Sequence, residues 1–344
     1  MAVRIPRRCL ESALLAILVP FGCAPVADIR TAVVGDVRPP ELISVTAAAP
    51  TKVRFTFDEP VIVDAKRLFV SPVVGTEVPQ EAAPTVDIDL TLPLDRGKRY
   101  QFEGFAADRW GNGLGFIVPV YGFNPEVPRM VINEFITEGA DKHPDIIELA
   151  VLSDGNLAGA CLYVGTPQNW EFRLVLPEVT VRSGDFVLIH CKPQGISAEI
   201  DELSDPAGSG GYDASPVAWD FWLPEGTGLS ATNGVLALAS SPDGTLLDAV
   251  VYSNRTSESD DRYRGFGSTD MMERVDEIVA RGAWIVAGEQ ARPEDAVDPT
   301  ASTPTRSICR NSNSTDTDAK QDWHITPTSG ATFGTTNSDG VYVQ

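Results

Sequence analysis

The stretch PRMVINEFITEGADKHPDIIELAVLSDGNLAGACLYVG, residues 128–165, decides the fold. It holds two apolar runs, MVINEF and DIIELAVL, separated by a polar loop with Gly139 and Pro144. Short runs rich in Val, Ile and Phe between Gly, Pro and Asp read as paired strands. Downstream, RSGDFVLIHCKP (182–193) adds a buried-looking strand, and GVLALASSPDGTLLDAVVYS (234–253) reads as a hairpin about Pro242-Asp243-Gly244.

Upstream the pattern is cleaner. In KVRFTF (52–57) Val53, Phe55 and Phe57 fall on one face, and TVDIDLTL (85–92) places Val86, Ile88, Leu90 and Leu92 inward with its acids outward. RYQFEGFAADRWGN supplies another strand and a turn over Trp110–Gly113. About seven strands between residues 41 and 124 predict a β-sandwich. A chain of 344 residues suits two domains. With 43% apolar residues, 29 Gly and 26 Pro, it can bury real cores while turning often, so the fold class is all-β. One segment departs: STDMMERVDEIVARGAW (268–284) reads as a helix with Met272, Val275, Ile278 and Val279 as its buried stripe.

The net charge is −21, which repels phosphate backbones and excludes nucleic acid as the main partner. It suits solubility, cations or basic partners. At the amino end, MAVRIPRRCLESALLAILVPFGCAP has a basic start, an apolar run Ala13–Phe21 and then Gly22-Cys23. Such a run is too short to span a bilayer and reads as a secretory signal, residues 1–22. Cys23 after a small residue resembles a bacterial lipoprotein cleavage site, which implies lipidation at Cys23 and a membrane partner through the anchor; ordinary secretion is the alternative. Residues 23–40 then form a tether. Of the remaining cysteines, Cys161 and Cys191 sit in strand-like runs and form a candidate disulfide, against the alternative of buried thiols at Cys161, Cys191 and Cys309.

Two resemblances follow. VRFTFDEPV (53–61) with KRYQFEGFAADRWGNGL (98–114) resembles the bacterial Ig-like modules of surface-layer proteins, which implies a spacer or adhesion unit over 41–124. The order Ile132-Asn133-Glu134, Ile147-Glu148-Leu149, Gly184 to Ile189, LLDAVVYS and the closing SICRNSNSTDTDAKQDWHITPTSGA (307–331) resembles the lamin tail domain, over 126–340. Together they imply two tandem Ig-like β-sandwich domains after a signal peptide. The long loop GISAEIDELSDPAGSGGYDASPVAWDFW (195–222) departs from that pattern as an insertion.

Candidate chemistry is sparse. Glu134 and Glu148 form a carboxylate pair of the kind glycosidases use, but on a sandwich they are expected to bond neighbouring backbone or Arg. No G-x-S-x-G elbow is present, and His190 and Cys191, adjacent on a strand, point to opposite faces. Asp316, Asp318 and Asp322 alternate with other oxygen-bearing residues and could hold a structural calcium ion; Asx turns are the alternative. Asp201, Glu202, Asp205 and Asp213 offer a second such set. In 307–331, Ile308 and Trp323 are expected inward, with Arg310 and the acids bonding across the loop. The aromatics Tyr212, Trp219, Phe221 and Trp222 either bind a protein or glycan or fold back on the core. The expectation is a non-enzymatic cell-envelope lipoprotein with no catalytic residues and no cofactor beyond such calcium. The alternative is a secreted metal-dependent hydrolase or its accessory module.

Overall fold

The computed structural model describes residues 36–343, so the signal segment, Cys23 and most of the tether lie outside the described residues. The described residues are mostly β-strand with one α-helix among them, arranged in several sheets around two main hydrophobic cores. Among the described residues no helix is long and apolar enough to cross a membrane.

The first core is built by β1 (Leu42–Ala49), β2 (Lys52–Val63), β3 (Phe69–Ser71), β4 (Thr76–Glu77), β5 (Ala83–Leu90), β6 (Arg99–Ala107) and β7 (Gly113–Tyr121). The long β2 pairs with β1 and β5 through its first half and with β6 through Ile62 and Val63, so one strand serves both layers. Period-two alternation places Val53, Phe55, Phe57, Val61 and Val63 inside, where Phe55 meets Phe102 and Phe116 at 5.9 and 5.4 Å. Val86, Ile88 and Leu90 point inward as the alternation predicts, whereas Leu92 is exposed because β5 ends at Leu90 and the chain turns away. Asp108 fixes the turn after β6 by accepting from the backbone N–H of Trp110 and Asn112, each at 2.8 Å.

The second core is closed by two sheets. One runs β12 (Trp170–Val175), β11 (Cys161–Gly165), β16 (Asn233–Ala239), β17 (Leu246–Ser253). The other runs β15 (Trp219–Trp222), β14 (Phe186–His190), β9 (Ile146–Val151), β8 (Met130–Phe135), β18 (Ile308–Arg310), β19 (Trp323–Ile325). A small pair, β10 (Gly155–Asn156) with β13 (Thr180–Val181), stands beside them. Helix α1 (Thr269–Ala280) begins at Ser268, whose hydroxyl accepts from Met271 N–H, and buries Met271, Val275 and Ile278. Met272 and Val279, expected in that stripe with Val275 and Ile278, lie at its partly buried margins.

Every residue of β8 and β9 is buried, on both faces. Ile132, Ile147 and Leu149 enter the core; the other face, with Glu134, Glu148, Leu188 and Cys309 in register, lies beneath irregular chain. The 195–222 loop covers one part of that face and the segment after β19 covers the rest. Phe333 packs there on Ile146, Leu188 and Ala218. Gly334 (φ +80°) passes so close that a Cβ would stand 2.8 Å from Ser215 Oγ.

Candidate functional site

Three polar clusters gather on the six-stranded sheet. The first centres on Arg310, the last residue of β18, which has no exposed surface. Its Nη2 donates to both oxygens of Asp248 at 3.0 and 3.1 Å, reaching from one sheet to the other. Its Nε donates to Ile132 O at 2.8 Å and its Nη1 to Thr315 O at 3.0 Å. Asp316 and Asp322 lie 3.1 and 3.2 Å from Nη1, and the Trp323 ring covers the guanidinium at 4.5 Å. Asp248 also accepts from Ile132 N–H at 2.6 Å. Burial pushes the Asp248 carboxyl up to about 7, with Arg310 opposing and Asp316 adding to the rise.

This cluster revises the calcium expectation for Asp316, Asp318 and Asp322. Asp322 is committed to Thr317, accepting from its N–H at 2.6 Å and its hydroxyl at 2.7 Å, and to Arg310. Asp316 and Asp318 gather instead with Asp248, their oxygens within 4.8 Å of one another. The guanidinium already stands among Asp248, Asp316 and Asp322, where a calcium ion would have to displace or face it. The residues therefore fit an internal cation better than a six- to eight-oxygen calcium shell. The second acidic set is equally occupied. Asp201 accepts from Trp222 N–H at 2.9 Å, Glu202 from Ser209 and Asp220 N–H at 2.8 and 2.7 Å, and Asp205 from Ala207 N–H at 3.0 Å.

The second cluster is the carboxylate pair. Glu134 and Glu148 are cross-strand partners with no exposed surface. Glu134 accepts from Thr332 N–H and hydroxyl at 2.9 and 2.8 Å, and from the Ser307 hydroxyl. Glu148 accepts from Asn133 Nδ2 at 2.7 Å and Gly334 N–H at 2.6 Å. Asn337 extends the strap, donating to Asn133 O and Arg310 O at 3.0 Å each. Burial raises both carboxyl pKa values, and the Glu134 charge raises Glu148 further. The two acids thus tie residues 332–337 down over the sheet, and the donors they accept are backbone groups and side chains of the chain itself.

The third cluster joins Cys309 to His324, paired across β18 and β19, with Sγ 3.4 Å from Nε2. Sequence reasoning missed this pair; the pairing of ICR with WHI was the signal that could have found it. Nε2 also lies 2.9 Å from Ser338 O, an acceptor only, so it carries the proton and cannot take one from the thiol. Burial and the charges of Glu134, Glu148 and Asp339 push the Cys309 thiol up, away from the thiolate a nucleophile needs. On β14, His190 is buried with Nε2 at 2.8 Å from Asp220 and its ring stacked on Trp222 at 3.9 Å, while its Nδ1 has no protein partner.

Two further expectations meet corrections. Cys161 and Cys191 are free and buried. They stand on different sheets, and the cross-strand neighbours of Cys161 are Val175 and Ala239, so the cross-strand bond lacks its register. Of the four loop aromatics, Phe221 and Trp222 are buried, Trp219 packs partly on the core, and Tyr212 is half-buried. They fold back because 219–222 adds as a parallel edge strand to β14, which turns alternate side chains into the core. The exposed apolar residues of that loop are Ile196, Ile200, Leu203 and Val217.

A family model described as "TP_1001_2nd: protein second domain" matches residues 128–325, more than half of the chain. A Treponema pallidum (strain Nichols) protein, described only as uncharacterized, is 30% identical over 159 residues. That similarity covers 46% of this chain and 40% of the relative's length.

Proposed function

The chain belongs to the family of the TP_1001_2nd protein second domain, and from that premise we propose that it is a non-enzymatic module of the cell envelope. In this reading it carries two tandem Ig-like sandwiches, the first of bacterial surface-layer type and the second of lamin-tail type. Acylation at Cys23 holds it at a membrane surface, and the second sandwich presents a protein- or glycan-binding surface.

One observation carries the reading: the side chains with chemical potential are spent inside the fold. Arg310, Glu134, Glu148 and Cys309 are fully buried and hydrogen-bonded to the chain's own groups. Such groups serve cohesion, and a surface remains for recognition. The test is the intact mass of protein extracted from membranes, paired with turnover assays on phosphoester and glycoside substrates with added metal ions. A mass beginning at Cys23 plus acyl chains, with no turnover, is the expected result. An unmodified soluble protein overturns the anchor, and metal-dependent turnover overturns the non-enzymatic assignment.

A further inference from the structure

A small open cavity of about 460 Å³ lies where the β11–β12 hairpin meets α1, lined by Gln168, Asn169, Trp170, Glu273 and Glu277. We propose that this is a saccharide-binding site, taking a neutral or amino sugar with Trp170 as the stacking platform. The inference deepens the binding-module reading above and rests on it for its biological setting.

Three features of the site point to a sugar. Trp170 is 43% exposed although it begins a regular strand, so its indole is displayed at the rim of the cavity. The face of an aromatic ring is electron-rich and attracts the positively polarised C–H groups on the flat side of a pyranose, while the polar ring edges stay wet. Around it stand Gln168 and Glu273, planar groups that can engage neighbouring hydroxyls in pairs, with the Asn169 amide nitrogen beside them; Glu277 is held by Thr166 and by Arg281 at 2.9 Å. A cavity of this size with one apolar platform and several polar side chains suits one or two sugar rings better than an apolar ligand.

The platform is held rigidly. Gly165 (φ +120°) allows the hairpin to close so tightly that a Cβ would stand 2.5 Å from Asn169 O. Thr166 N–H donates to Asn169 O at 2.9 Å, and the Thr166 hydroxyl donates to Glu277 on α1. Arg274 donates to Asn169 Oδ1 through Nε and Nη2 at 3.1 and 3.0 Å and to Glu171 at 2.7 Å. Those bonds fix the Asn169 amide with its oxygen toward α1. Arg173 lies 4.8 Å from the Trp170 ring centre and props it. Ligand binding then orders little that is not already ordered, which lowers its entropic cost.

The lining also sets selectivity. Glu277 is paired with Arg281 at 2.9 Å, so Glu273 is the lining carboxylate that sets a like charge against a uronic or phosphorylated sugar.

The test titrates the full chain with a tetramer of N-acetylglucosamine, read by tryptophan fluorescence and by the indole N–H resonance of Trp170. Saturable binding of the order of 1 mM is expected, the range of a single stacked contact. Trp170→Ala should weaken binding roughly tenfold or more while leaving the melting temperature unchanged; Trp170→Phe, which keeps a ring, should retain most of it. A galacturonic acid tetramer should bind far more weakly than the neutral one. Absence of any titration, undiminished binding by Trp170→Ala, or equal binding of the acidic tetramer each overturns the site. If the tetramer fails to bind an acylated, turnover-free protein, the site falls and the envelope-module reading survives. If the tetramer is bound at Trp170 and cleaved, the site stands and the non-enzymatic reading falls.

Discussion

Replacing Arg310 by Met removes the one cation at the junction of the two sheets and leaves Asp248 buried without its partner. Breaking a buried pair from one side costs about 3–5 kcal/mol, because the remaining charge keeps its desolvation penalty and loses its compensation. The pH dependence identifies the cause. Asp248 titrates near 7 in the folded chain against 3.8 when exposed, so the native state holds the extra proton between these values. Stability therefore falls as pH rises through that window, by about 1.4 kcal/mol per unit for one proton. Without Arg310, whose charge lowers the Asp248 pKa, the upper edge of the window moves higher still. The wild-type curve levels near pH 7 while the variant continues to fall, so the gap between them widens by about 2 kcal/mol between pH 7 and pH 8.5. Urea unfolding of both proteins at pH 5.5, 7 and 8.5 measures it. The double variant Arg310→Met/Asp248→Asn, with no charge to strand, should show a gap that stays constant between pH 7 and pH 8.5. A gap in Arg310→Met that stays constant from pH 5.5 to 8.5 refutes the assignment of Arg310 as the counter-ion of Asp248.

The strap over the carboxylate pair gives a related prediction with a local readout. Gly334→Ala forces a side chain onto Ser215 at a positive φ, and should raise amide exchange of residues 332–337 at least tenfold while β16 and β17 stay protected, as mass-resolved hydrogen exchange will show. Because Glu134 and Glu148 both have raised pKa values, the strap should exchange faster at pH 8 than at pH 5, after correction for the intrinsic exchange rate. Phe221→Ala should cost roughly 3–5 kcal/mol as a fully buried aromatic, whereas Tyr212→Ala should cost about 1 kcal/mol or less; paired denaturation curves decide it. Cys161, Cys191 and Cys309 should resist alkylation in native buffer and all react in urea without reductant, and a pair that stays unreactive in urea would mean a disulfide.

Where a strand has one wet face, its sequence disclosed its role. β2 and β5 bury alternate residues, and Val53, Phe55, Phe57, Val86 and Ile88 lie where period two puts them. The reading of Leu92 failed only because alternation cannot mark where a strand ends. β8 and β9 were harder. Their acids, expected to bond backbone or Arg, do accept backbone N–H groups, but the chain that supplies these and buries them comes from residues 332–337, far along the sequence. Arg310 and the acids do bond across the loop as expected, at Asp316 and Asp322; distance in sequence hid only the arginine's third partner, Asp248. The alternating acids of 316–322 announced a need for positive charge, which suggested a metal ion. The cation sits just upstream of them in the same segment, on an apolar strand, and its principal partner Asp248 stands on the opposite sheet. A charged residue at the end of a strand as apolar as ICR must find its counter-charge inside the protein, because isolated burial is prohibitively costly. The pairing of Arg310 with the acids, read beside the calcium expectation in the sequence, therefore outweighs it. An acidic loop beside a buried arginine is a request for that arginine before it is a request for calcium, and the aromatic cover from Trp323 follows from the need to keep water off the pair.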